Sequence, residues 1–391
     1  MTKLNSVRTG ALKAILLALS ISSLSIIGCS SGSDDKGSDN GPSFGGDYTN
    51  FEFSGRGDSD GFTTTNFKVP NGTNKFMVNF DAAGDLLTIS SLSSNGAEYA
   101  KTGGRPLTSS NSIEIFTGSI NVPSRTLDAP INSANTFSIT AGGSKLDNKD
   151  IKFYGLGRSD SDLSKGTLIV NIYIVSPSLN SVENQDIINR AIARFRAIYA
   201  SANITLSINI HNVNSTESIQ DMYSGTDFYL NNVANKPSPA VNLFISNQLT
   251  YSFENGESAL ILGLAGGIPG PWINSLKSGV AVSFSQHSGV DDEFSPAEEL
   301  IFGETLAHEV GHYIGLFHPI EIDTDSEDLL ANGADPLSDT EECGSYTTCS
   351  LTLYSNLMFP FPVRSGNGGF VEQVALTGQQ SGVLNLSALV D

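Results

Sequence analysis

The 391-residue chain is 39% hydrophobic and only 16% charged, enough apolar side chain for two ordinary domains, each with its own core. It carries 41 acidic against 21 basic residues, a formal net charge of −20. So acidic a surface repels phosphate backbones and anionic lipid headgroups, which argues against a nucleic-acid binder.

Residues 1–28 hold Lys3, Arg8 and Lys13 and no acid, followed by an uncharged apolar run from 14 to 28. That run is too short and serine-rich for a membrane span and reads as a secretory signal. Its end, Leu24-Ser25-Ile26-Ile27-Gly28-Cys29, resembles a bacterial lipobox, in which the cysteine is lipidated and becomes the first mature residue. A plain signal peptide is the alternative. On the lipobox reading the mature net charge is about −23, membrane attachment rests on acyl chains at Cys29, and the product is an exported lipoprotein of the outer membrane or cell surface. Residues 29–46, mostly Ser, Gly and Asp, are expected to be a flexible tether.

From 47 to about 155 short apolar alternations recur between Gly, Asn, Pro and Ser, at 74–80, 85–92, 112–116 and 136–139. Little there has a helical period. The expectation is an antiparallel β-sandwich serving as an accessory or pro domain. Arg56-Gly57-Asp58 and Asp58-Ser59-Asp60-Gly61 are read as turn chemistry, since the second lacks the downstream Glu of a calcium loop.

Residues 157–165 are polar and read as a linker to a second domain over 166–391. Strands are expected at 167–175, 204–212, 240–246 and 279–285. A helix is expected at 182–200, with Ile187, Ile188, Ala191, Ile192, Phe195 and Ile198 on one stripe. Residues 261–272, with Gly263, Gly266, Gly267 and Gly270, are read as a loop beside a cleft.

The helix after these has its start written in the sequence. Ser295, Pro296 and Glu298 form a capping box with proline at the first helical position, so the helix is expected over 296–314. His308 and His312 are four apart, a rise of about 6 Å with an overshoot of roughly 40°. Their imidazoles therefore converge on one face, where one metal ion can bridge them. Gly315 can take positive φ and stop the helix, turning the chain to deliver His318 as third ligand. Glu309 follows the first ligand and projects beside the ion, where a base must sit to take a proton from activated water. The remaining histidines, His211 and His287, are read as surface or packing residues.

These residues, from His308 and Glu309 through His312 and Gly315 to His318, resemble the metzincin metalloprotease signature HExxHxxGxxH. Downstream, Asp335, Asp339-Thr340, Cys343, Cys349, Asn356-Leu357-Met358 and Leu376-Thr377-Gly378-Gln379-Gln380 follow in the order of the pappalysin-like metzincins. The resemblance covers about residues 167–391. It implies an α+β metzincin catalytic domain, a twisted mixed sheet plus a zinc helix, with Zn2+ on His308, His312 and His318. It also implies Glu309 as general base, Met358 as the Met-turn beneath the histidines, and endopeptidase activity on protein or peptide substrates. Many metzincins place a tyrosine two residues after that methionine. Phe359-Pro360 stands here, which leaves the oxyanion to the metal. With Cys29 consumed by lipid, Cys343 and Cys349 are expected to pair in an oxidising compartment. Glu321, Asp323, Asp325, Glu327 and Asp328 crowd one loop, either as a calcium site or as a solvated acidic loop. The competing reading is a surface-exposed binding or adhesion lipoprotein with a vestigial peptidase fold, against which the intact ligands and Glu309 argue.

Overall fold

The computed structural model describes residues 48–81, 88–101, 117–143, 146–213, 239–252, 258–273, 278–288, 293–320, 335–341, 348–349, 352–365 and 369–391. The signal segment, Cys29, the tether, the expected strand at 112–116, Cys343 and the acidic cluster Asp323, Asp325, Glu327 and Asp328 lie outside them. Among the described residues no helix is long and apolar enough to cross a membrane. The chain divides into two compact units, one reaching to Leu163 and including Leu386–Leu389 and Asp391, the other spanning Ser164–Asn385 with Val390.

The first unit is all β. Strands β1 (Tyr48–Arg56), β2 (Phe62–Phe67), β3 (Lys75–Asp81), β4 (Thr88–Ser94), β5 (Ala97–Lys101), β6 (Thr117–Val122), β7 (Phe137–Gly142) and β8 (Asp150–Arg158) form two antiparallel sheets. Their orders are β1-β8-β3-β6 and β2-β7-β4-β5. Alternation explains the burial: along β7, Phe137, Ile139 and Ala141 are buried while Ser138 and Thr140 are not. Stacked phenylalanines fill the core, with Phe53 4.1 Å from Phe67 and 4.8 Å from Phe153 between ring centroids. Asp58 Oδ1 accepts the N–H groups of Asp60 and Phe62, so the Arg56-Gly57-Asp58-Ser59-Asp60-Gly61 stretch is a strand end and an Asx turn. Strand β8 runs on to Arg158, which places Gly157 and Arg158, expected in the linker, inside the sheet.

The second unit is α+β. Strands β9 (Gly166–Ile174), β10 (Ile204–Asn212), β11 (Val241–Ser246), β14 (Gly263–Ala265) and β15 (Val280–Ser283) form one sheet in the order β10-β9-β11-β15-β14. A two-stranded ribbon, β12 (Thr250–Ser252) with β13 (Ser258–Leu260), precedes β14. The four strands β10, β9, β11 and β15 are parallel. The inner strands β9, β11 and β15 are mainly apolar, as strands buried on both faces are, while edge strand β10 alternates Ile204, Leu206, Ile208 and Ile210 with polar residues. Strand β14 runs antiparallel at the edge. It lies inside the segment expected to be loop. Three residues with a glycine at one end leave no apolar alternation to betray a strand, and only pairing with β15 creates it.

Helices α1 (Val182–Ser201), α2 (Pro296–Ile314) and α3 (Gly378–Leu386) complete the unit. Helix α1 is capped by Ser181 and buries the expected stripe together with Tyr199, whose hydroxyl donates to Ala307 O of α2 at 3.2 Å. The two helices approach closely because residue 303 has no side chain: a Cβ there would lie 2.6 Å from Arg194 Cβ and 2.7 Å from Ala191 O. Beside this crossing Arg194 donates to Glu304 at 2.7 Å and to Glu372 at 2.6 Å, and the other oxygen of Glu304 accepts the Gln373 N–H. Burial raises the Glu304 carboxyl above its usual range, and the Arg194 bond opposes it. Gly303→Val is expected to lower unfolding free energy by about 1–3 kcal/mol through overpacking. An unchanged denaturant midpoint would show that the helices separate without strain.

Candidate metal centre

Helix α2 begins with both hydrogen bonds of the capping box, Glu298 N to Ser295 Oγ and Ser295 N to Glu298 Oε2, with Pro296 next. It ends at Gly315, whose φ of 125° favours glycine. The Gly315 N–H returns to Gly311 O and His312 O, and the Leu316 N–H to Gly311 O, as in a glycine-terminated helix cap. This turn does two jobs. It carries His318 back toward the helix, and it presents Leu316 O to His312 Nδ1 at 2.7 Å.

His308 is held in the same way, its Nδ1 lying 2.8 Å from Leu357 O. A carbonyl oxygen only accepts, so both Nδ1 atoms carry the proton and both Nε2 atoms keep a lone pair. These two Nε2 atoms lie 3.1 and 3.0 Å from His318 Nε2. One imidazole proton at most can lie among the three, so at least one pair of lone pairs faces another at close range. A divalent cation removes that repulsion: tetrahedral Zn–N bonds of about 2.0–2.1 Å place ligand nitrogens about 3.3 Å apart. His308, His312 and His318 have ligand atoms all within 4.8 Å of one another, and no other cluster of three or more such residues occurs among the described residues. The donor set fits a metal ion of the zinc type. Burial, followed by the His318 charge, pushes His308 down to about 3 and His312 well below its ordinary value, so both imidazoles are neutral donors.

Glu309 is 9% exposed, and burial raises its carboxyl to about 8 against the opposing bond from the Ala265 N–H. Edge strand β14 lies over it: a Cβ on Gly263 would meet Glu309 Cγ at 2.6 Å and Oε1 at 2.7 Å. A cation held by the three histidines would favour the ionised carboxylate and restore it as a base.

Met358, the expected Met-turn, is fully buried under the site. Its sulfur lies 2.9 Å from where a Cβ on Gly311 would be, so the glycine between the two helical histidines admits the thioether. The turn is fastened from behind. Met358 N donates to Asn356 Oδ1, and the Asn356 amide pairs with the Gln380 amide at 2.9 and 3.2 Å. Gln380 also closes a capping box with Thr377 at the start of α3. Asp339 accepts from Thr377 Oγ1 and Gln379 N at the same helix end, and Asp335 accepts from Thr340 and Leu337 N. Phe359 is core, edge-on to Tyr354 and Phe361. Cys349 is buried in the same cluster.

Of the other histidines, His211 stacks on Tyr173 at the edge of the sheet, outside the metal cluster. His287, in a one-turn 3-10 helix at Ser285–His287, is 3% exposed, with Nδ1 2.6 Å from Ser283 O and Nε2 2.9 Å from Thr305 Oγ1 on α2. The contact with α2, 18 residues along the chain, had no signal in the sequence.

No family profile matches the chain, and no curated protein sequence matches it. Among solved structures, a crystal structure of metalloproteinase-II from Bacteroides fragilis is similar with a TM-score of 0.31 and 13% identity, over 63% of this chain and 64% of that one. The chain thus spans somewhat under two thirds of that protein. A xylanase 10C mutant from Cellvibrio japonicus, in complex with xylopentaose, reaches a TM-score of 0.16 at 10% identity over 73% and 54% of the two chains. TM-scores this low assign no family, and the site stands on its own geometry.

Burial lowers the His287 pKa to about 4, against a weaker raising effect from Ser283 O. The fold thus favours the neutral ring, which stabilises fully above about pH 6.5, and this contribution is lost as pH falls from 6.5 toward 4, up to about 3 kcal/mol. His287→Gln should remove that part of the acid sensitivity. Equal slopes of stability against pH for the two proteins over this interval would contradict it.

Proposed function

We propose that the chain is a zinc-dependent endopeptidase of the metzincin type, akin to the pappalysin-like family, that hydrolyses peptide bonds of protein substrates. The observation that carries this reading is the convergence of three histidine Nε2 atoms on the helix that also carries the buried Glu309 carboxyl. A bound ion would supply Lewis acidity, which would polarise the scissile carbonyl and lower the pKa of the attacking water toward about 7. Glu309 takes the proton of the attacking water and passes it to the departing amine. His308, His312 and His318 would hold the ion, Leu357 O and Leu316 O keep two of these rings in the ligating tautomer, and Met358 packs against Gly311 between the two helical histidines.

On the same footing we propose export through the segment 1–28, a lipid anchor on Cys29 at the outer membrane or cell surface, and a Cys343–Cys349 bridge. Burial of Cys349 supports the bridge, since a wholly buried sulfur is shielded from reductants. Calcium at Asp323, Asp325, Glu327 and Asp328 is a separate proposal. It predicts higher thermal stability on calcium addition after EGTA treatment.

The purified protein should bind close to one equivalent of zinc and cleave casein or gelatin. Phenanthroline should abolish cleavage, and Glu309→Ala should lower it by at least about 10²-fold while retaining the metal. Undiminished activity in the Glu309 variant would refute the assigned base. A protein that takes up no zinc would refute the site.

A further inference from the structure

Strand β14 stands closer to Glu309 than any side chain would permit. Its even-numbered residues face β15: Leu262 O accepts the Ser283 N–H, and the Gly266 N–H donates to Gly279 O. Between these ends Leu264 pairs with Ala281. Backbone groups alternate direction along a strand, so Gly263 and Ala265 aim theirs at the free edge. There the Ala265 N–H donates to the Glu309 carboxylate. Residues 263 and 265 also share one face of the strand. On that face the position of a Cβ at 263 lies 2.6, 2.7 and 2.9 Å from Glu309 Cγ, Oε1 and Cδ. The carboxylate is thus seated in the space left by the missing methyl group and held there by the next outward-facing N–H.

We propose that Gly263 is a positioning residue: its bare Cα and the outward N–H of Ala265 form a seat that fixes the Glu309 carboxylate on the free edge of β14. Neither Gly263 nor Ala265 belongs to the three-histidine cluster. Gly263 acts through Glu309 alone, so its catalytic consequence rests on the peptidase reading while the seat itself does not. A methyl group at 263 displaces the carboxylate from where it must meet a proton, which lowers turnover without removing substrate contacts made elsewhere.

The test separates the two levels. Thermal midpoints are measured on metal-free, chelator-treated protein for the parent, Gly263→Ala, Glu309→Ala and the double variant. Because the three atoms nearest the added methyl all belong to the Glu309 side chain, Gly263→Ala should lower the midpoint by roughly 2–4 °C in the parent and by far less once Glu309 is alanine. An equal penalty in both backgrounds, including failure of both to fold, would overturn the seat. On zinc-loaded protein cleaving a casein-derived peptide, Gly263→Ala should reduce kcat at least about tenfold with KM within about threefold. A raised KM at unchanged kcat would overturn the positioning role. If the parent cleaves nothing, the peptidase reading fails, and the four-protein stability cycle still decides the seat.

Discussion

Two backbone carbonyls hold the centre of this molecule together. Leu357 O and Leu316 O each take the Nδ1 proton of one histidine and so turn its other nitrogen, lone pair outward, toward a common point. Without them a buried imidazole could flip its tautomer or its ring, and three donors would not converge. One carbonyl comes from the turn that ends the helix, the other from a segment 49 residues beyond His308. Much of the second unit serves to bring these two oxygens to the same helix.

The network behind Leu357 makes that dependence concrete. Leu357 N is fixed to Ala375 O, Asn356 is locked to Gln380, and Gln380 caps α3 with Thr377 while Asp339 holds the same helix end. On the far side Glu304 grips the Gln373 N–H and Arg194, tying α2 and α1 to the same segment. Apart from the exposed Asp339, these are buried or half-buried polar groups with specific partners. Such groups are expensive to strand, so they favour one arrangement over its near alternatives. Glycines complete the design by omission: Gly311 admits the Met358 sulfur, Gly303 admits α1, and Gly263 admits the Glu309 carboxylate.

The all-β unit is built on different physics. Its core is a stack of phenylalanines between two antiparallel sheets, with sequence alternation setting the buried face. The expected stretches 74–80, 85–92 and 136–139 overlap β3, β4 and β7, where turn residues and period gave the signal. Which strands became neighbours, such as β1 with β8 across about a hundred residues, had no such signal.

Where a signal was local, the sequence determined the outcome. Helix α2 begins and ends at the expected residues because its capping box, its proline and its terminating glycine all act within four residues of where they stand. The four-residue histidine spacing fixed the shared face by helix geometry alone. Tertiary structure decided the remainder: the carbonyls that set the tautomers, the Arg194–Glu304 pair 110 residues apart, the burial of His287 against Thr305, and the strand β14 hidden in a glycine-rich run. Each depends on partners distant in the chain, and a one-dimensional pattern records what a residue is suited to without recording which other residue will meet it.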